Sequence, residues 1–278
     1  MDVERFDDIV EKIEIQLFLE GVFRLYGYDF RDYSSSSIRR RMLHLMENEK
    51  LKTVSELQDR VLHDGRFMER FLMEASINVT AMFRDPSFYA AFKKKVVPLL
   101  ASLPFIRIWH VGCATGEEVY SMAILLKEAG LYEKSKIYAT DINEVVLNKA
   151  RKGIYPLSLM KEYTDNYIKA GCIGSFSEYY TADNKNAVFA ENLQKNVVWA
   201  QHNLVTDASF NEFDVILCRN VMIYFNKSLQ NKVHELIYSS LKIGGILGLG
   251  AAESLKFTAF EDKYEELDGK MKLFKKVI

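Results

Sequence analysis

The chain has few cysteines, almost no net charge and no long apolar run, and each shortage removes a class of protein. Its three cysteines, Cys113, Cys172 and Cys218, stand far apart with no CxxC pair, which argues against a thiolate zinc site and a disulfide framework. The formal net charge is −1 over 278 residues, so no global positive field draws the protein to nucleic acid or anionic lipid. No apolar run approaches the ~18 residues that suggest a membrane span, and Met1-Asp2-Val3-Glu4-Arg5 lacks the basic-then-apolar order of a signal peptide. Low-complexity segments and solenoid-period repeats are missing too. A reduced, soluble, cytoplasmic protein is expected, with 49% hydrophobic and 27% charged residues leaving ample material for a core. The length suits one large domain or two moderate ones, at roughly 150 residues per domain.

What is present falls into two patterns. Residues 1–75 read as an all-helical domain. Ile15, Leu19, Val22, Phe23 and Tyr26 recur at helical spacing before Gly27, and Ser34 to Ser37 precede a second helix through Ile38, Met42, Leu45 and Met46. Thr53 with Glu56 matches a capping box, and Phe67, Phe71 and Leu72 carry a further amphipathic turn. Arg39-Arg40-Arg41 is the densest basic cluster of this part; it reads either as a solvated helix face or as a docking surface for an acidic partner.

After a linker over 76–104, the pattern changes at about Phe105. Residues 105–111, 136–140, 213–218, 246–250 and 271–277 have strand character, and helices are expected over 120–127, 145–152 and 227–241. This alternation predicts an α/β domain over 105–278, a parallel sheet with helices on both faces. Residues 163–200 interrupt it. There Tyr179, Tyr180, Val188, Phe189, Val197 and Val198 are β-prone and separated by polar turn residues, which predicts a small antiparallel insert.

The central motif is His110-Val111-Gly112-Cys113-Ala114-Thr115-Gly116-Glu117-Glu118, between a strand and a helix, where an open α/β sheet binds nucleotides. It does not spell GxGxxG, and two acidic residues stand where a diphosphate would need bare N–H groups, so NAD and P-loop readings are disfavoured. A cationic ligand such as S-adenosylmethionine suits those carboxylates, although Thr115 and Glu118 also match a plain capping box. Asp141 ends the second strand at a distance beyond Gly116 that suits hydrogen bonds from ribose hydroxyls. Arg219 and Asn220 follow the third strand, again on the ligand side. The segment Cys218 to Phe225 contains no Asp/Asn-Pro-Pro-Tyr sequence, which lowers the case for a nucleic-acid base as acceptor.

These segments together resemble the chemotaxis receptor methyltransferases, the CheR family. The match runs through Asn78-Val79-Thr80-Ala81-Met82-Phe83-Arg84, Gly112 to Glu118, Ala139-Thr140-Asp141-Ile142, His202-Asn203-Leu204 and Cys218-Arg219-Asn220-Val221-Met222-Ile223-Tyr224-Phe225. The resemblance implies a Rossmann-like class I methyltransferase sheet with an N-terminal helical domain and a small antiparallel β insert. It also implies transfer of a methyl group from S-adenosylmethionine to glutamates on chemoreceptor cytoplasmic helices, with S-adenosylhomocysteine as product and no metal. Neither nucleic-acid binding nor direct membrane insertion is implied, and a monomer is expected. By the same resemblance, Asn78, Thr80, Arg84, Gly112, Glu118, Asp141, Asn203, Leu204, Arg219 and Asn220 hold the cofactor or line its pocket, while Arg84 and Tyr224 lie beside the transferred methyl. Residues 76–104 then contribute to the active site as well as linking the domains.

The chemistry agrees with an absence. A glutamate acceptor, with a pKa near ~4.3, is already ionised at neutral pH, so no general base is needed. None of the five histidines has an obvious partner at motif spacing; His110 and His202 read as packing or capping residues. The chain departs from the family at Val119, where proline is usual, and at His44 and Glu47, where the receptor-facing helix carries arginines after the position of Arg41. The insert loop Thr181 to Asn186 lacks the family's glycine, so no tethered receptor tail peptide is expected to be needed; measurable binding of such a peptide to the protein would contradict that. Two rivals are an enzyme of this fold acting on a small molecule, against which the helical domain counts, and a non-catalytic S-adenosylmethionine-binding interaction module, which would transfer no label.

Overall fold

The computed structural model describes residues 3–76 and 80–278, with side chains from Asp8 onward. The chain divides into two compact units, one of Met1–Ile77 with Tyr224–Lys232, the other of Asn78–Ile223 with Val233–Ile278.

The first unit holds α1 (Val3–Tyr26), α2 (Ser35–Glu49), α3 (Val54–His63) and α4 (Gly65–Ala75). Their apolar stripes meet in one cluster, with Phe18 and Val22 from α1, Met42 from α2, Leu57 and Val61 from α3 and Phe71 from α4 all fully buried. The Phe18 and Phe71 rings meet edge to face at 4.8 Å. Thr53 caps α3 by accepting the Glu56 N–H at 3.1 Å, while Glu56 reaches back to the Lys52 N–H at 2.6 Å, a capping box shifted by one residue. Of the basic cluster, Arg39 donates to Glu11 at 2.9 Å and Arg41 to the Glu74 carbonyl at 2.9 Å, and Arg40 is exposed.

The second unit begins with α5 (Pro86–Lys95) and α6 (Val97–Ala101), so most of the stretch expected as linker is helix. Phe88, Tyr89, Phe92 and Val96 recur at helical spacing and are buried in the core of this unit, and Pro86 stands in the first turn of α5, where its missing N–H costs nothing. There follow β1 (Ile106–Val111), α7 (Glu117–Glu128), β2 (Ser135–Asp141), α8 (Glu144–Lys152), β3 (Ile154–Pro156), α9 (Met160–Lys169), β4 (Tyr180–Ala182), β5 (Asn186–Phe189), β6 (Val197–Gln201), β7 (Phe213–Cys218), α10 (Lys227–Ser240), whose residues up to Lys232 belong to the first unit, β8 (Leu241–Leu249), β9 (Tyr264–Asp268) and β10 (Leu273–Lys276).

The large sheet runs β6-β2-β1-β7-β8-β10-β9, parallel from β6 to β8 and closed by antiparallel β10. Strand order reverses between β1 and β7, the switch point where open α/β sheets bind ligands. Register aligns the strand ends there, since Val111 lies opposite both Thr140 and Cys218. The small sheet, β3-β5-β4, is antiparallel. Two details of the expected insert are corrected. Val197 and Val198 belong to β6 of the large sheet, paired with Ile137 and Tyr138, and residues 160–169 are helix. Met160, Tyr163 and Tyr167 are its buried face, a helical spacing hidden by tyrosines that favour strands.

Candidate active site

The loop between β1 and α7 turns on left-handed residues, Gly112 at φ +63°, Ala114 at +48° and Gly116 at +93°. The Ala114 N–H donates to Asp141 Oδ2 at 2.9 Å and the Cys113 N–H to the Thr140 carbonyl at 2.9 Å. Asp141 thus pins the loop with one oxygen while its other oxygen accepts the Asn143 N–H at 3.0 Å. Burial pushes the Asp141 carboxyl above the usual range, and backbone N–H bonds offset only part of that rise.

The two glycines are small because of neighbouring side chains. A Cβ on Gly112 would meet Val221 Cγ2 at 2.7 Å, and one on Gly116 would meet Ala150 Cβ at 2.9 Å. Their size therefore lets the loop close on the β7 turn and on α8. Ala150 is a stub that cannot swing aside, so Gly116→Ala combines overpacking with a left-handed penalty, together about 2–5 kcal/mol. Urea denaturation should show that loss; wild-type stability would contradict the account of the loop.

Glu118 does not cap its helix. Its Oε1 accepts from His110 Nδ1 at 3.0 Å and its Oε2 from Arg219 Nη1 at 2.8 Å. Burial opposes ionisation of Glu118, but the His110 hydrogen bond and the Arg219 charge prevail and hold its pKa at about 2. His110, expected only to pack or cap, is therefore, with Arg219, one of two residues that hold Glu118. Arg219, with a side chain only 2% exposed, continues the chain of charges to Asp85 Oδ2 at 2.8 Å. Its guanidinium lies 3.9 Å from the Phe88 ring centroid, and Nη2 also donates to the Arg84 carbonyl at 3.4 Å.

That last contact brings in the segment before α5. Phe83 and Asp85 are left-handed, at φ +51° and +58°, an unusual state for a bulky residue. Each costs about 1–3 kcal/mol and persists only when its surroundings impose it. Here the Phe83 N–H donates to Ser121 Oγ at 2.8 Å and the ring is buried against Tyr89 and Tyr167. Arg84, half-buried, is displayed between these two anchored residues.

The second unit thus brings together Arg84, the Gly112 loop, Glu118, Asp141, Arg219 and Asn220. Asn203 and Leu204 follow β6, next to β2, where the His202 N–H donates to the Asp141 carbonyl at 3.1 Å. The Asn203 carboxamide oxygen accepts the Val205 N–H at 3.0 Å, closing a tight turn. Thr80 is half-buried. Asn78 lies outside the described residues, and Tyr224 belongs to the first unit, where its carbonyl accepts the Ser34 N–H at 2.8 Å. Sequence reasoning missed Asp85 and Glu253. Glu253 follows Gly250 just past β8, and the strand-end rule that singled out Asp141 would have found it.

Two carboxylates beside a switch point, both held by protein donors, suit a cation and hydroxyls better than a diphosphate. The donor set fits S-adenosylmethionine, which carries an ammonium, a sulfonium and a ribose.

A family model described as "CheR methyltransferase, SAM binding domain" matches residues 78–272, and one described as "CheR methyltransferase, all-alpha domain" matches residues 13–74. Cher3 of Pseudomonas putida is 48% identical over 95% of this chain and 97% of its own length. Chemotaxis protein methyltransferase 1 of Vibrio cholerae is 33% identical, with 89% of this chain and 90% of that one covered. The chemotaxis protein methyltransferase of Borreliella burgdorferi is 30% identical at the same coverage, 89% and 90%.

Proposed function

The chain belongs to the CheR methyltransferase family, and from that premise we propose that it methylates glutamate side chains on the cytoplasmic helices of chemoreceptors, forming γ-glutamyl methyl esters. The observation that carries this is the hydrogen-bonded chain His110–Glu118–Arg219–Asp85, which ties a loop suited to a cationic nucleoside to the turn that presents Arg84. The names of the Vibrio and Borreliella relatives favour chemotaxis as the setting.

In this reading S-adenosylmethionine, when bound, supplies an electrophilic methyl. Glu118 would hold its ammonium and Asp141 its ribose hydroxyls, with the Gly112 loop, Thr80, Asn203, Leu204 and Asn220 lining the rest, and Asn78 as the resemblance has it. The side chain of Arg219 is too enclosed for more than an indirect part, acting through Glu118. The protein's task is to aim a carboxylate oxygen in line with the methyl, and positioning of this kind supplies roughly 7–11 kcal/mol in favourable cases. No side chain need take a proton, because the acceptor carboxylate is ionised at neutral pH.

Arg84 orients the carboxylate through charge-assisted hydrogen bonds. Holding it too tightly would slow the reaction, because attack consumes the charge that the guanidinium would stabilise. The role that the resemblance gives Tyr224 stays part of the proposal. The test is a titration of the protein with S-adenosylhomocysteine, followed by incubation with labelled S-adenosylmethionine and receptor cytoplasmic fragments. Binding with transfer to the fragments supports the reading; binding without transfer favours a non-catalytic module, and transfer to small molecules alone overturns the protein substrate.

A further inference from the structure

Glu253 is a carboxylate buried to 5% exposure that the proposed chemistry leaves without a role. Its oxygens accept from backbone donors. Oε1 accepts the N–H groups of Val221 at 2.9 Å and Met222 at 2.8 Å, and Oε2 those of Asn220 at 3.0 Å and Gly250 at 2.6 Å. Three of these four belong to the turn that leaves β7, where the ladder ends and N–H groups lose their partners. Asn220 is left-handed there, at φ +61°.

The arrangement is specific to an ionised carboxylate. Only an acceptor on both oxygens satisfies four converging donors, and an unmet donor inside the protein is costly. The fit is also tight. A Cβ on Gly250 would lie 2.7 Å from the Asn220 nitrogen, 2.8 Å from Glu253 Oε2 and 3.1 Å from Asn220 Nδ2. Gly250 therefore gives room for the carboxylate, the turn and the Asn220 carboxamide to share one place.

We infer that Glu253 is a positioning residue for methyl transfer: it fixes the backbone of Asn220 to Met222 and so aims the Asn220 side chain at the cofactor, which Glu253 itself does not touch. This rests on the reading that Asn220 contacts S-adenosylmethionine. Glu253→Gln is the sharpest variant, because it keeps volume while turning an NH2 group toward backbone N–H donors.

The folded variant should bind S-adenosylhomocysteine roughly 10- to 100-fold more weakly by calorimetry. The amides of Asn220, Val221 and Met222 should exchange faster with solvent deuterium while those of β7 keep their protection. KM for S-adenosylmethionine should rise more than kcat falls, a split that general loss of stability would not produce. Wild-type affinity with unchanged exchange overturns the inference. Should Glu253→Gln be too unstable to titrate, Glu253→Asp keeps the charge but falls short of some donors, and wild-type affinity in that variant overturns the inference equally. Failure of the underlying reading is distinguishable, because Asn220→Gly, which keeps the left-handed backbone, would then bind S-adenosylhomocysteine as tightly as the unsubstituted protein, and the inference falls with it.

Discussion

Arg84→Ala should lose methyl transfer by about 10²- to 10³-fold or more, the scale for removing one oriented donor at a reacting centre, while unfolding near the wild-type midpoint. Folding should survive because the neighbours of Arg84 keep their own contacts in the variant. Phe83 is held by Ser121 and by buried aromatic rings, Asp85 by Arg219, and the Arg84 atom bonded to Arg219 is a backbone carbonyl that alanine keeps. The loss should fall on kcat more than on KM, since the guanidinium is assigned to aiming the carboxylate and not to holding the acceptor. Arg84→Lys should recover only part of the rate, because an ammonium cannot offer the flat paired donors of a guanidinium. Steady-state kinetics with receptor fragments reads all three expectations, and near-wild-type turnover by Arg84→Ala would sink the assignment.

The second large effect belongs to Arg219→Ala. This side chain is 2% exposed and bridges Glu118, itself 18% exposed, to Asp85, which is 50% exposed. Removing one partner of a buried pair leaves an uncompensated charge and typically costs about 3–5 kcal/mol. Glu118 would keep only His110. Asp85→Asn, by contrast, breaks a half-exposed contact worth about 1 kcal/mol or less. Urea denaturation of the two variants should therefore separate them widely, and equal losses would mean that the Arg219–Glu118 contact is not the buried link in the chain. S-adenosylhomocysteine affinity should fall with Arg219→Ala too, through misplacement of Glu118.

The same network marks how far the sequence could be read. The strands β1, β2 and β7 are β-prone, largely buried segments that stop at Gly112, Asp141 and Arg219, and the acidic loop with Asp141 points to a nucleoside site before any geometry. The edge strands were less visible. β6 is only half-buried, so Val197 and Val198 read as part of the insert, and β9 is Tyr264-Glu265-Glu266-Leu267-Asp268, whose charges mask its pairing with β10. The rest of the site was hidden for a different reason. Arg219 meets Glu118 across 101 positions and Asp85 across 134, and Glu253 reaches its turn across more than thirty. Spacing rules govern residues on one element; they carry nothing about which loops the sheet register brings face to face. His110 was discounted for the same reason. It lies eight residues before Glu118, on a strand rather than on the same helix, so no local periodicity joins them.

The resemblance supplied Asn203, Arg84 and Tyr224, which local pattern would have passed over, and it also placed Arg219 at the cofactor. A side chain enclosed by Phe88, Asp85 and Glu118 acts as a tie between elements.

Carboxyl methylation of a protein is the central claim, and one property separates it from every methyl transfer to nitrogen: a methyl ester is cleaved by mild base. The protein should be incubated with methyl-labelled S-adenosylmethionine and receptor cytoplasmic fragments, and the recovered fragments then treated with alkali. The label should leave the fragments as volatile methanol. Label that stays on the protein through alkali would place the methyl on another kind of atom and contradict the account.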